Sequence, residues 1–127
     1  MKQKNSFSSL MLDLDGYVLS GDEIDLLSNP LVGGVILFSR NIKSRYQVQA
    51  LCAQIKVINS ELLIAVDQEG GRVQRLETDY TRLPSMHQLS DYCAKDNFSN
   101  IGLARDIGWL MASEVIASGL DISFAPV

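Results

Sequence analysis

Leu62-Leu63-Ile64-Ala65-Val66 runs without a polar residue straight into Asp67-Gln68-Glu69-Gly70-Gly71-Arg72-Val73-Gln74-Arg75. An apolar run this short is strand-sized, and it lacks the in-and-out alternation of a half-buried strand. It therefore reads as a strand covered on both faces, as in a parallel sheet. The segment that follows concentrates carboxylates, amides and guanidinium groups at the strand's C-terminal end, where parallel α/β folds place their ligand sites.

Working upstream, Gly33-Gly34-Val35-Ile36-Leu37-Phe38 is a second strand of the same kind. Leu10-Met11-Leu12-Asp13-Leu14, closed by the turn residues Asp15-Gly16, is a first. Asp22 is placed to cap a short helix through Leu27, which Asn29-Pro30 then breaks. Ser44 and Gln47 have the spacing of a capping box, and Val48, Leu51, Cys52, Ile55 and Ile58 mark one face of a helix of about four turns. Downstream, a long irregular stretch containing Leu83-Pro84 precedes a second amphipathic helix, marked by Leu103, Ile107, Leu110, Met111 and Val115, with Gly119 at its C-cap. Ile122-Ser123-Phe124-Ala125 is a fourth strand, before Pro126-Val127. Strands alternating with helices predict an α/β fold of parallel strands joined by right-handed crossovers. Composition alone leaves two versions open, a doubly wound sheet and a (β/α)8 barrel.

The chain has 127 residues, 46% hydrophobic and 20% charged, the profile of one soluble globular unit, residues 1–127. Its net charge is -4, and Lys and Arg never cluster into a run, which argues against nucleic acid or an anionic membrane as partner. No apolar run approaches the roughly 20 residues that span a bilayer, and Met1–Ser9 lacks the apolar centre of a secretory signal. Two cysteines, Cys52 and Cys93, make neither a disulfide framework nor a metal site, so a cytoplasmic location with reduced thiols is expected.

Within the polar segment, Asp67 can accept two hydrogen bonds from vicinal hydroxyls. Arg75, eight positions on, can return to the same ring, and Gly70-Gly71 lets the backbone turn sharply. The pattern suits a sugar. The same spacing fits a structural ion pair between Asp67 and an Arg that pins the loop, and Glu69 and Arg72 read as structural. The single histidine, His87, has no orienting partner in its neighbourhood of sequence and reads as a surface or helix-start residue.

Val66–Arg75, together with Leu31–Asn41, Thr81-Arg82-Leu83-Pro84, Gly108–Glu114 and Asp121–Val127, resembles the bacterial β-N-acetylhexosaminidases of glycoside hydrolase family 3 that act in peptidoglycan recycling. The likeness runs in order over nearly the whole chain. It implies the N-terminal portion of a (β/α)8 barrel and a substrate class of muropeptides bearing terminal N-acetylglucosamine. It also implies that Asp67 and Arg75 bind the sugar ring beside the scissile bond, with no metal or cofactor. The family's retaining mechanism uses a nucleophilic Asp and a His-Asp dyad that lie later in the barrel. On that pattern no catalytic residue falls within 1–127, and the chain alone is expected to be inactive.

Two other readings remain. Leu10–Gly16 also resembles the first motif of haloacid-dehalogenase-like phosphatases, in which Asp13 would be the nucleophile, Asp15 the acid/base, and Mg2+ would bridge them to phosphate. Tyr17 departs from that pattern. In the glycosidase reading Asp13 lies at the active-site end of strand one, orienting an Arg or the sugar, or serving structure alone. A barrel needs about 250 residues, so four strands in 127 residues are expected to leave the first and fourth strands as open edges, prone to self-association. The chain then reads as a truncated frame or fragment, or else as a noncatalytic half-barrel module that assembles with itself.

Overall fold

In each central strand of the sheet, alternate side chains are fully buried, and this divides the molecule into a helix-covered face and an open one. A computed structural model describes residues 9–95 and 101–125. The chain forms β1 (Leu10–Leu12), α1 (Gly21–Leu27), β2 (Val32–Leu37), a short 3-10 turn (Ser39–Asn41), α2 (Arg45–Ile58) and β3 (Leu63–Val66). A small hairpin, β4 (Gln68–Gly70) and β5 (Val73–Gln74), is followed by α3 (Met86–Lys95), α4 (Ile101–Ala117) and β6 (Ile122–Ser123). The main sheet has the order β1-β2-β3-β6, and every pair in it is parallel.

That order selects between the two architectures. Each new strand of the main sheet is laid beside the previous one, always in the same direction. Right-handed crossovers then put their helices on a single face, which is the arc of a barrel. A doubly wound sheet would reverse direction at a switch point. None occurs among the described residues.

Register shows which face is which. The rows Leu12–Val35–Ile64 and Leu37–Val66 run side by side across the sheet. Val35, Leu37, Ile64 and Val66 are inaccessible to solvent and pack in one cluster with Val48, Leu51, Cys52 and Ile55 of α2. Each fully buried aliphatic side chain of this kind contributes on the order of 1.5–3 kcal/mol. The alternate rows, Met11–Gly34–Leu63 and Ile36–Ala65–Ile122, face the other way. There Met11, Leu63 and Ile122 are each at least 41% exposed. The sheet is thus apolar on both faces with helices on one. Gly34 lets β1 and β3 close in on β2, since a Cβ there would meet Leu63 O and Met11 Cε at 2.9 Å. β1 and β6 form the two edges of this sheet, as expected from the strand count.

Several local readings need correction. The cap of α1 is Ser20, not Asp22. Its hydroxyl accepts from Glu23 N–H, while the Glu23 carboxylate accepts from Ser20 N–H at 2.7 Å and from Asp15 N–H at 2.9 Å. The near-buried Glu23 thereby ties the β1 exit loop to α1, and reciprocal capping outcompetes a single Asp. At α2, Ser44 accepts from Gln47 N–H as expected, but the Gln47 side chain reaches past the cap to Lys43 N–H at 2.8 Å. The stretch after Leu83-Pro84 is not irregular, because Met86–Lys95 is helical and buries Leu89 and Cys93. Its two buried positions, one turn apart, are too few to stand out as a stripe. The apolar stripe read on α4 is covered in part, with Val115 buried, Ile107, Leu110 and Met111 half-buried, Met111 packed against the core, and Leu103 exposed. Gly119 does end that helix in the left-handed region, at φ 86°. Pro126 and Val127 lie outside the described residues, and β6 is shorter than the run through Ala125. No helix among the described residues is long and apolar enough to cross a membrane.

Asp121 staples the β3–β6 pair at its entrance. Its carboxylate accepts from Ile64 N–H and from Lys56 Nζ, each at 2.8 Å, while its own N–H donates to Ile64 O. Burial pushes this carboxyl up, but the hydrogen bonds from Lys56 and Ile64 and the Lys56 charge together hold it below the usual 3.8. A depressed folded-state value stabilises the fold above pH 3.8 and ceases to do so as the pH falls through it. The melting temperature should therefore drop on acidification below about pH 4, and Asp121→Asn should flatten that drop. An unchanged acid limb in the variant would remove Asp121 from the account. Burial also pushes the Cys52 thiol up to about 12. Cys52 should resist iodoacetamide at pH 8 in the folded chain and react only on unfolding, as mass spectrometry of the modified peptide would show.

Candidate functional site

Parallel strands deliver their C-terminal ends to one edge, and here that edge carries Asp13 after β1, Phe38 and Arg40 after β2, and Asp67 after β3. The β4–β5 hairpin starts directly beyond Asp67 and returns the chain to place Arg75 next to it. Two glycines make the reversal. Gly70 and Gly71 both have positive φ, 83° and 59°, and a Cβ on Gly70 would lie 2.2 Å from Pro84 O. Only glycine permits that approach, so the sequence reading of this pair stands with a second cause added, the packing of Leu83-Pro84 against the turn.

Asp67 and Arg75 do come together. Asp67 Oδ2 and Arg75 Nη2 are 3.4 Å apart, with side chains 23% and 29% exposed. That separation is long for an ion pair of this type. Arg75 Nε is buried and has no hydrogen-bond partner among the described residues. A donor left unsatisfied in this way costs about 1–3 kcal/mol. The guanidinium of Arg75 lies 5.8 Å from the centroid of the Phe38 ring, and that of Arg40 lies 5.1 Å from the same centroid. Arg40 in turn pairs with Asp13 and donates from Nε to Leu14 O at 2.8 Å. Asp13 thus orients an Arg, one of the roles open to it in sequence. The unreversed strand order among the described residues departs from the switch-point sheet that the phosphatase reading of Leu10–Gly16 would require.

Two buried amides that sequence reading passed over hold the hairpin. Gln68 Oε1 accepts from both Arg75 N–H and Leu76 N–H at 3.0 Å, and Gln68 Nε2 donates to Leu76 O at 3.3 Å. Gln74 Nε2 donates to Leu76 O at 2.8 Å and Thr81 O at 2.9 Å, while its Oε1 accepts from Leu83 N–H at 3.0 Å. Both are at most 3% exposed. Behind them, Glu114 of α4 accepts from Thr81 N–H and Oγ1, and Asn41 holds the β1 exit through Leu14 O and Gly16 O. Polar side chains that satisfy loop backbone leave no periodicity in a sequence. The available signal was a Gln at each end of a glycine turn.

Glu69 is half-buried and Arg72 exposed, and neither joins the Asp67–Arg75 pair. His87 is in the first turn of α3 and 86% exposed, the surface helix-start position expected of it, but the expectation that it lacks a partner is corrected, since Asp91 Oδ2, one helical turn on, is 3.5 Å away. No cluster of three or more His, Cys, Asp or Glu is placed to hold a metal ion among the described residues.

A beta-hexosaminidase of Pseudomonas aeruginosa is 52% identical over 119 residues, covering 94% of this chain and 34% of that protein. A beta-hexosaminidase of Pasteurella multocida is 48% identical over 122 residues, again 94% of this chain and 34% of the relative. The chain thus spans about a third of the length of the curated relatives it matches. Among solved structures, NagZ from Neisseria gonorrhoeae in complex with N-trifluoroacetyl-D-glucosamine superposes with a TM-score of 0.88 at 40% identity, over 93% of this chain and 35% of that one. A family 3 β-N-acetylglucosaminidase from Paenibacillus sp. superposes with a TM-score of 0.83 at 34% identity, over 94% and 22%. Residues 11–127 match the glycosyl hydrolase family 3 N-terminal domain, and the chain belongs to that family.

Proposed function

We propose that these residues form the sugar-binding side of a retaining β-N-acetylhexosaminidase whose substrates are cytoplasmic muropeptides ending in N-acetylglucosamine. The observation that carries the reading is the Asp67–Arg75 pair at the exit of β3. It presents a guanidinium and a carboxylate that are each partly open to solvent and only loosely engaged with one another, donors and an acceptor for neighbouring ring hydroxyls. The kinship with beta-hexosaminidases and with a NagZ solved with an N-acylglucosamine supports the choice of sugar. Buried thiols at Cys52 and Cys93 suit a reducing compartment. The Asp67 carboxylate is not assigned to attack on the anomeric carbon. In the family's pattern nucleophile and proton transfer come from elsewhere in the barrel, and the role here is to fix the ring so that binding energy is spent on orientation.

Two expectations test this. Joined at Val127 to the remaining portion of the Pseudomonas aeruginosa relative, the chain should give an enzyme that releases product from an aryl N-acetyl-β-glucosaminide with retained anomeric configuration and with a rate unaffected by EDTA. Residues 1–127 alone should release none above a buffer blank. An inverted product, or activity of the 127-residue chain that disappears in Asp67→Asn, would overturn the division of roles. In the same chimera, Asp67→Asn or Arg75→Ala should lose about 2 to 4 kcal/mol of transition-state binding, read as kcat/KM. If the pair is purely structural, those variants will melt earlier and turn over normally once folded.

A further inference from the structure

We propose that Gln68 is a positioning residue that acts through Arg75, setting the separation at which Asp67 and Arg75 face a ligand. The inference rests on the sugar-binding reading of that pair. Gln68 follows Asp67 in the chain, so its main chain fixes where the Asp67 side chain starts. That main chain is itself tethered across the sheet, because Ser123 Oγ of β6 is 3.1 Å from both Gln68 N and Gln68 O. From this anchored point the side chain, 1% exposed, accepts from the backbone N–H groups of Arg75 and Leu76 and returns a donor to Leu76 O. Three of the four hydrogen-bonding sites of the amide are engaged with the segment that carries Arg75.

The consequence is geometric. The Asp67–Arg75 contact of 3.4 Å is too long to hold the two side chains in place by itself, and the solvent reaching both weakens it further. What holds the Arg75 backbone is the Gln68 amide, with the Phe38 ring beneath the guanidinium. A buried amide is well suited to this, since loss of its Oε1 leaves the Arg75 and Leu76 N–H groups without that partner in the interior. Free of Gln68, the guanidinium would close on Asp67 and satisfy the donors and acceptors that the ligand needs. Gln74 braces the far side of the same turn, at Thr81 and Leu83, and contacts neither Arg75 nor Asp67 through its side chain.

A double-mutant cycle in the chimeric enzyme separates positioning from scaffolding. Gln68→Met keeps the volume and removes the hydrogen bonds. It should raise the inhibition constant of N-acetylglucosamine about tenfold, with KM rising in step. In an Arg75→Ala background the same change should alter that constant less than about twofold, although the melting temperature still falls, because a residue that acts through Arg75 has nothing left to position. Ser123→Ala, which frees only the main-chain tether, should show the same dependence on Arg75 with a smaller effect and keeps the test open should Gln68→Met not fold. Equal losses in both backgrounds, or no change in the inhibition constant from Gln68→Met or Ser123→Ala, would overturn the proposal. If Arg75→Ala itself leaves the inhibition constant unchanged, it is the sugar-binding reading that fails, and the positioning role falls with it.

Discussion

Leu37 of β2 stands in register with Val66 of β3, and this single parallel pairing fixes the geometry on which everything beyond the strands depends. One residue past the pair, Phe38 and Asp67 leave the sheet side by side. One turn further on, Arg40 bends back to Asp13, and the hairpin brings Arg75 within 5.8 Å of the Phe38 ring centroid. A slip of one residue would send Leu37 and Val66 to the opposite face and carry Phe38 and Asp67 with them. The register is held from the helix side, where Val48, Leu51 and Ile55 of α2 meet Val35, Leu37, Ile64 and Val66. Core packing and site geometry are thus two ends of the same strands.

The electrostatics of the edge follow from that arrangement. Two carboxylates and two guanidinium groups alternate across three strand ends, so the rim is close to neutral while remaining rich in directional donors and acceptors. A neutral polyol is matched by such a surface better than an anion or a cation, because it needs hydrogen bonds without a net field. The Phe38 ring adds an attraction of about 0.5–1 kcal/mol to each cation above it and an apolar floor between them. It also limits where either guanidinium can move.

Much of this was legible in the sequence for a definable reason. Continuous apolar runs announced β2 and β3, since strands buried on both faces need no polar positions, and the helical spacing from Val48 to Ile55 announced α2. Asp67, Arg75 and the glycine turn stood out because charge directly after a buried strand is costly unless it is used. What escaped was held by side chains that bond to backbone. Ser20 with Glu23 displaced Asp22 as the cap, and Gln68 and Gln74 turned a presumed loop into a hairpin. Such groups carry no period, and each is defined by the carbonyl or N–H it meets in three dimensions. The α4 stripe was read in the right place but is covered only in part, since periodicity reports an apolar face and not what packs on it.

The Asp67–Arg75 pair is built from residues eight apart, yet its support comes from much farther along the chain. Gln68 is tethered by Ser123, and the segment after Arg75 is held by Glu114 through Thr81, by Arg45 stacked 4.9 Å from the Tyr80 ring, and by Tyr80 hydroxyl bonded to Ser118 at 2.8 Å. Loop closures of this length oppose ordering until α4 and β6 dock, so the hairpin cannot acquire its final geometry from local sequence alone. The β3–β6 pairing, secured by Asp121 at one end of the strands and by Ser123 at the other, is therefore the step that sets Asp67 beside Arg75 in a charged, glycine-rich segment. Rigidity at Asp67 and Arg75 is thus a property of the sheet and its later helix.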